Sequence, residues 1–455
     1  MKTLIRNGRV ALDGSLQPLD LLLVDGRIAA LGQVDAASAD QVIEAGGCYV
    51  LPGFIDFHTH VDDQIGLFYL ADGYESSTRV ALENGITTLC TFVTQGPGET
   101  LLRAMARARA KAEGQSHCDV LWHLTPTTFS PADIATLKVL LAGGYRTLKL
   151  YTTYKNAGIF ASYDLIEDLF QSLGPQGTQF LVHCEDDGVI DAVDATGLDL
   201  SKAFTHTLLR PEAAEVVAIQ RVMELALAHR ASLHVVHVST LAGARLLVAN
   251  RPQGDLSFET CPQYLFLDES WLAREDGHRW LCSPPLRGNR APFLDLIRQG
   301  AADIIATDHC PFCSRDKDSW DGQDLRAVPN GMPGLGSLPH VTWKIWEDDP
   351  DRAALGLATH LSLNPALRAG VSDRKGALRT GLDADIVVLD PKGPQRPVRS
   401  TAADAYEAFA GFTSPLAFRH VLLRGETRVR DGRLTQPQLP TGNLLQPSPA
   451  TLPLT

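Results

Sequence analysis

Apolar residues recur along this chain in short runs, and between most of those runs they return every three or four positions. The runs at 54–60, 86–93, 119–125, 146–151, 178–183, 233–238, 256–261 and 303–307 predict strands buried on both faces. Helical spacing at 99–112, 131–142, 162–173 and 211–229 predicts helices between them, with Pro211 and Glu212 suited to a first turn. Strands and helices alternating over residues 53–374 predict a (β/α)8 TIM-like barrel, fold class α/β. A doubly wound sheet is the rival, but no G-x-G-x-x-G follows any strand.

The two ends read differently. Residues 1–52 hold short strand-like runs, with Asp25-Gly26 between two of them as a hairpin signal. Asp385–Asp390 and His420–Glu426 look alike, so residues 1–52 with 375–435 are expected to form a small β-sandwich domain. From Gln436 onward, Pro437, Pro440, Pro447, Pro449 and Pro453 stand among small polar residues and predict an extended tail over 436–455. Leu444 and Leu445 in that tail suit docking on a neighbour.

A chain of 455 residues that is 44% hydrophobic can bury a large core, and it is too long for one small domain. No stretch reaches the ~20 apolar residues of a membrane helix. The opening Met1–Gly8 has no apolar run ahead of its charged and turn residues, so no secretory leader is expected. A net charge of −12 argues against nucleic acid or an anionic membrane as partner. The eight cysteines are scattered through strand-like segments, which fits buried free thiols in a reducing, cytoplasmic setting. Cys310 and Cys313 form a single CxxC without a second, so a thiol pair is expected there rather than a structural zinc.

Barrel chemistry gathers at the C-terminal ends of strands. His58 and His60 end the first strand two residues apart, so both imidazoles face one side, where a divalent metal could sit. Lys149 lies inside the fourth run, where an ammonium must be paired, deprotonated or chemically altered. His183, His237 and Asp308 end or interrupt the fifth, sixth and eighth runs. Singly, a strand-end histidine is usually a hydrogen-bonded core residue and a strand-end aspartate caps a turn. Together, at one end of one barrel, they point to a metal site. His309 could orient Asp308 or merely fill space, and Glu185 is expected to make loop hydrogen bonds.

The order of these motifs resembles the cyclic amidohydrolases of the amidohydrolase superfamily, and within them the hydantoinase/dihydropyrimidinase family. The matching segments are Gly53-Phe54-Ile55-Asp56-Phe57-His58-Thr59-His60, Leu148-Lys149-Leu150-Tyr151-Thr152-Thr153-Tyr154-Lys155 and Val236-His237-Val238-Ser239. Further on come Glu259-Thr260-Cys261-Pro262-Gln263-Tyr264-Leu265, Cys282-Ser283-Pro284-Pro285-Leu286-Arg287, Thr307-Asp308-His309-Cys310-Pro311-Phe312 and Pro329-Asn330-Gly331-Met332-Pro333-Gly334. The likeness extends from about Leu4 to Leu434.

The resemblance implies a binuclear-metal hydrolase that opens the cyclic amide bond of 5-substituted hydantoins or dihydropyrimidines to N-carbamoyl amino acids. It implies that Lys149 is N6-carboxylated and bridges two divalent ions, for which a pair of Zn2+ is the best match by ligand type. One ion would take His58, His60, Lys149 and Asp308, and the other Lys149, His183 and His237. A metal-bridging hydroxide would attack the ring carbonyl, with Asp308 as base and then acid. Tyr154 would meet the oxyanion, and Ser283 and Asn330 would hold the substrate's imide edge. A homotetramer is also implied. An allantoinase-like or other cyclic amidase with the same centre is the alternative. A non-catalytic dihydropyrimidinase-like scaffold is another, and the filled set of six ligand positions argues against it.

Dihydroorotases and allantoinases usually carry a basic or amide residue two positions after the HxH, whereas this chain reads Val61-Asp62-Asp63-Gln64-Ile65-Gly66. Asp62 would repel a carboxylate, which favours a neutral ring. The apolar residues of Ile65–Leu70 and Ile159-Phe160 could line a substituent pocket or pack on the barrel rim.

Overall fold

The structure, a computed structural model, describes residues 1–35, 39–288, 290–401 and 404–447. Eight parallel strands, Phe54–Thr59, Ile86–Thr94, Asp119–Thr125, Thr147–Tyr151, Gln179–His183, Ser232–Val235, Leu256–Thr260 and Ile304–Ile305, pair in sequence order. Nearly every residue in them is buried, because helices cover one face and the barrel interior fills the other. The expected runs lie close to these bounds, except at the sixth and eighth strands, which stop short. The last ladder is only two residues long.

The barrel closes through a few hydrogen bonds rather than a full ladder. The Asp56 carboxylate accepts from the Thr307 N–H at 3.1 Å and the Thr307 hydroxyl at 2.6 Å. The His60 N–H donates to the His309 carbonyl at 2.7 Å. The first and eighth strand ends, which carry the HxH pair and Asp308, are thus locked side by side.

The intervening helices follow the apolar spacing. Tyr163–Leu173 buries Ile166, Leu169, Phe170 and Leu173, and its N-cap Ser162 accepts from the Leu165 N–H. Glu212–His229 begins one residue later than the pattern suggests. Pro211 sits at the N-cap in extended conformation instead of inside the first turn.

The two terminal segments share one nine-stranded sheet. Tyr49–Pro52 joins them: it runs parallel to Lys2–Leu12 and antiparallel to Ile386–Asp390, then leads straight into the first barrel strand. Ile5, Val10, Leu21, Ile43, Val50, Ile386 and Leu422 form a separate apolar core there. At the hairpin, Asp25 and Gly26 both take left-handed φ (48° and 84°), as a tight turn between twisted strands requires.

The tail turns back on its own barrel. The Val120 N–H donates to the Asn443 carbonyl at 2.9 Å, and the Leu445 N–H to the Val120 carbonyl at 2.7 Å. Leu445 packs with Ile55, Phe57 and Phe92 of the barrel interior. Within the chain, Leu444 and Leu445 therefore already pack against the barrel. Pro449 and Pro453 lie outside the described residues. No helix among the described residues is long and apolar enough to cross a membrane.

Candidate metal centre

His58 and His60 face the same way from the first strand. Their Nε2 atoms lie 3.2 and 3.4 Å from one oxygen of Asp308, which reaches across from the eighth strand's end. The candidate ligand atoms of these three residues all lie within 4.8 Å of one another. His237 lies beside His58 with ring centroids 5.3 Å apart and the planes tilted by 42°, and His183 meets His237 edge to face at 4.5 Å. These two imidazoles adjoin the first group without belonging to it.

Lys149 is buried, its Nζ 5.0 Å from the ring centres of both Phe92 and Tyr151. Burial pulls the amine down to about 8, against the opposing pull of Asp308 and Glu259. Burial alone would raise the Asp308 carboxyl, yet His58, His60 and His237 around it hold it well below the usual carboxylate range. The site thus already favours an anion at 308 and a readily deprotonated amine at 149.

The donor set fits a divalent metal. His58 Nε2 and His237 Nδ1 are buried with no hydrogen-bond partner. Both are imidazole nitrogens at an anionic carboxylate, a combination suited to zinc and its neighbours. The ring atoms on the far side are engaged. His58 Nδ1 bonds Glu259, and His183 Nε2 lies 2.7 Å from Glu185. Such partners fix which nitrogen faces inward.

Three site residues hold left-handed backbone: Tyr154 (φ 70°), His237 (φ 39°) and Asp308 (φ 50°). For tyrosine and histidine this conformation is costly and persists only where the surroundings impose it. It places His237 beyond the sixth strand, not within it as the apolar run suggests.

Tyr154 stands over the mouth. Its ring is 5.2 Å from His183, and the Arg210 guanidinium lies 4.9 Å from its centre. Burial pushes its phenol up to about 12, with Arg210 opposing. The Ser283 hydroxyl lies 3.2 Å from His206 Nε2. The side-chain oxygen of Asn330 is buried and unpartnered.

Two residues of the site were not singled out by the sequence. Glu259, fully buried on the seventh strand, bonds His58 through one oxygen, lies 3.3 Å from His234 through the other, and accepts from the His237 N–H at 3.3 Å. Burial opposes its charge, but His58 and His234 hold it well below the ordinary range. Arg210 pairs with Glu185. A carboxylate within a predicted barrel strand was the available signal for the first.

Other expectations need correction. Glu185 does more than tie loops: its backbone bonds Thr152, but its carboxylate grips the His183 ring and Arg210. His309 does not reach Asp308 with its ring. Its Nδ1 accepts from the Gly334 and Leu335 N–H groups, and its Nε2 lies 3.3 Å from Asp72. Asp62 pairs with Lys111 at 2.9 Å, so its charge is offset and gives no clear ground for repelling a carboxylate. The segment after His60 forms a small hairpin, Gln64–Ile65 with Phe68–Tyr69. Its Ile65 and Phe68 pack on Leu70, Cys310 and Phe312, while Leu67 and Tyr69 are exposed.

A closed parallel barrel with imidazoles, a carboxylate and a buried amine at one mouth is the frame of a metal-dependent barrel hydrolase. The chain belongs to the amidohydrolase family, which its residues 49–428 match, and to the hydantoinase and dihydropyrimidinase branch of it. A D-hydantoinase of Streptomyces coelicolor is 32% identical over 459 residues, covering 95% of this chain and 96% of its own. A D-phenylhydantoinase of Escherichia coli is 32% identical over 452 residues, covering 96% of each. The crystal structure of a dihydropyrimidinase from Brevibacillus agri superposes with a TM-score of 0.93 at 29% identity, covering 100% of both chains.

Proposed function

We propose that this protein hydrolyses the cyclic amide bond of 5-substituted hydantoins or dihydropyrimidines, giving N-carbamoyl amino acids. One observation carries the reading: His58, His60 and Asp308 converge beside His183, His237 and a buried Lys149 at the barrel mouth. The likeness to hydantoinases along almost the whole chain supports it.

His58, His60, Lys149 and Asp308 would hold one divalent ion, and Lys149, His183 and His237 a second, with zinc the best match to the ligands. When bound, such ions supply polarisation of the scissile carbonyl and a lowered pKa for the attacking water. Lys149 would join the set once its ammonium loses one proton, the freed lone pair adds to CO2 and a second proton leaves, which turns a buried cation into an anion. An amine lowered to about 8 is ready for that step.

In the reaction, water oxygen adds to the ring carbonyl carbon and the C–N bond breaks. Asp308 takes a proton from the water and delivers it to the departing nitrogen. Tyr154 donates its phenolic proton toward the carbonyl oxygen as charge develops there, and its raised pKa keeps that proton in place at neutral pH. Ser283 and Asn330 hold the imide edge. In this reading the barrel of residues 53–374 carries the chemistry, and residues 1–52 with 375–435 brace its base. A cytoplasmic location fits eight free cysteines, and the family resemblance implies a homotetramer.

The test is purified protein, loaded with zinc and bicarbonate, assayed on hydantoin, dihydrouracil, allantoin and dihydroorotate. Absorbance loss with the first two, abolished in K149A, is expected. Turnover of allantoin or dihydroorotate alone, or full activity in K149A, overturns it.

A further inference from the structure

Lys317 has no part in the chemistry above, yet its side chain is fully buried. It stands on the short helix Ser314–Asp318, just after the eighth strand's loop. Its Nζ donates to the Arg279 carbonyl at 2.8 Å and the Leu281 carbonyl at 2.9 Å. The surroundings are the Tyr406 ring at 5.5 Å and the thiols of Cys282 and Cys310. Burying an amine among such groups is costly unless its hydrogens are used.

The same Leu281 carbonyl also accepts the Gly331 N–H, at 2.9 Å. Leu281 lies two residues before Ser283, and Gly331 directly follows Asn330. On its other side the 330–332 segment is wedged against the eighth strand's end. The Cys310 N–H donates to the Met332 carbonyl at 2.9 Å, and a Cβ on Gly331 would lie 2.6 Å from the Cys310 carbonyl. One carbonyl therefore joins the two segments that carry Ser283 and Asn330, and one buried amine fixes that carbonyl.

We propose that Lys317 is a positioning residue that sets the spacing between Ser283 and Asn330, and so the fit of the substrate's imide edge. This rests on the functional reading above for the roles of those two residues. Two hydrogen bonds are made and a neutral amine has two N–H groups, so the clamp holds whether or not Lys317 is protonated. Burial does pull its pKa down, to about 7.

The experiment compares wild type, K317M and K317Q, all metal-loaded, in steady-state kinetics and hydrogen exchange. K317M keeps the bulk and removes the donors, whereas K317Q restores two N–H groups. In K317M, KM for hydantoin should rise about tenfold, with kcat much less affected and metal content unchanged. The Gly331 amide should lose protection while the barrel strands keep theirs, and K317Q should restore both that protection and a near-normal KM. A KM within about twofold of wild type together with an unchanged Gly331 amide in K317M overturns the proposal. If K317M does not fold, K317Q decides alone, since it must keep both the Gly331 protection and a near-normal KM. If wild type opens none of the rings, the functional reading fails separately, and Gly331 exchange still settles whether Lys317 clamps the two segments.

Discussion

His183 Nε2 sits 2.7 Å from a carboxylate oxygen of Glu185, two residues along the chain. That contact leaves Nδ1 as the ring atom free to face inward, and Arg210 balances the carboxylate from behind. Replacing Glu185 with glutamine keeps the shape and removes the charge that orients the ring. Metal affinity at the His183 side should fall about 10- to 100-fold. Metal content after dialysis against a weak chelator measures this. Retention equal to wild type would show that Glu185 does not orient the ligand.

Asp308 offers the sharpest test of proton transfer. It holds φ at 50°, a conformation that asparagine tolerates and alanine does not share as readily. D308N should therefore fold with a near-normal melting temperature while kcat drops about 10²- to 10⁴-fold. Steady-state rates on hydantoin, with melting measured alongside, check it. A loss of less than tenfold would remove Asp308 from the proton path.

The barrel was legible because strands buried on both faces read as unbroken apolar runs, and 119–125 and 131–142 match the observed elements in both bounds. Placement of His58, His60 and Asp308 at strand ends, and of Lys149 inside a strand, followed from the same pattern. Their exact spacing did not, because it depends on closure between Asp56 and Thr307, which are far apart in the chain. Glu259 escaped notice because periodicity treats a polar residue in a strand as an interruption, not as a partner for His58. The turn that carries His237 out of its strand needs a left-handed residue, and histidine gives no signal for one.

Below the barrel, Lys375 Nζ lies 2.8 Å from Asp119, which also pairs with Arg424. Burial would raise the Asp119 carboxyl, but the two cations hold it below its ordinary value of 3.8. The unfolded chain binds that proton more readily, so the contribution is present above about pH 4 and is lost as pH falls toward the folded value. D119N leaves Lys375 with Asp383 and Asp385 but removes the carboxylate that pairs with Arg424, and should cost about 1–3 kcal/mol at pH 7. Denaturant titrations at several pH values should show a constant gap between wild type and variant from neutral to mildly acid pH, narrowing below about pH 4. A gap that widens in acid would reverse the assigned sign.

The docked tail makes a prediction that separates packing within the chain from packing between chains. Leu445 is 9% exposed and belongs to the same apolar cluster as Ile55, Phe57 and Phe92, whereas Leu439 of the same tail is 49% exposed. Truncating Leu445 to alanine removes buried methyl groups and leaves a gap in the barrel interior, so L445A should lose about 2–4 kcal/mol. L439A should stay within about 0.5 kcal/mol of wild type. Urea unfolding measures both, and the mass of the native particle should not change in either. If L445A instead shifts the assembly state at unchanged stability, the tail serves a neighbouring copy and not its own barrel.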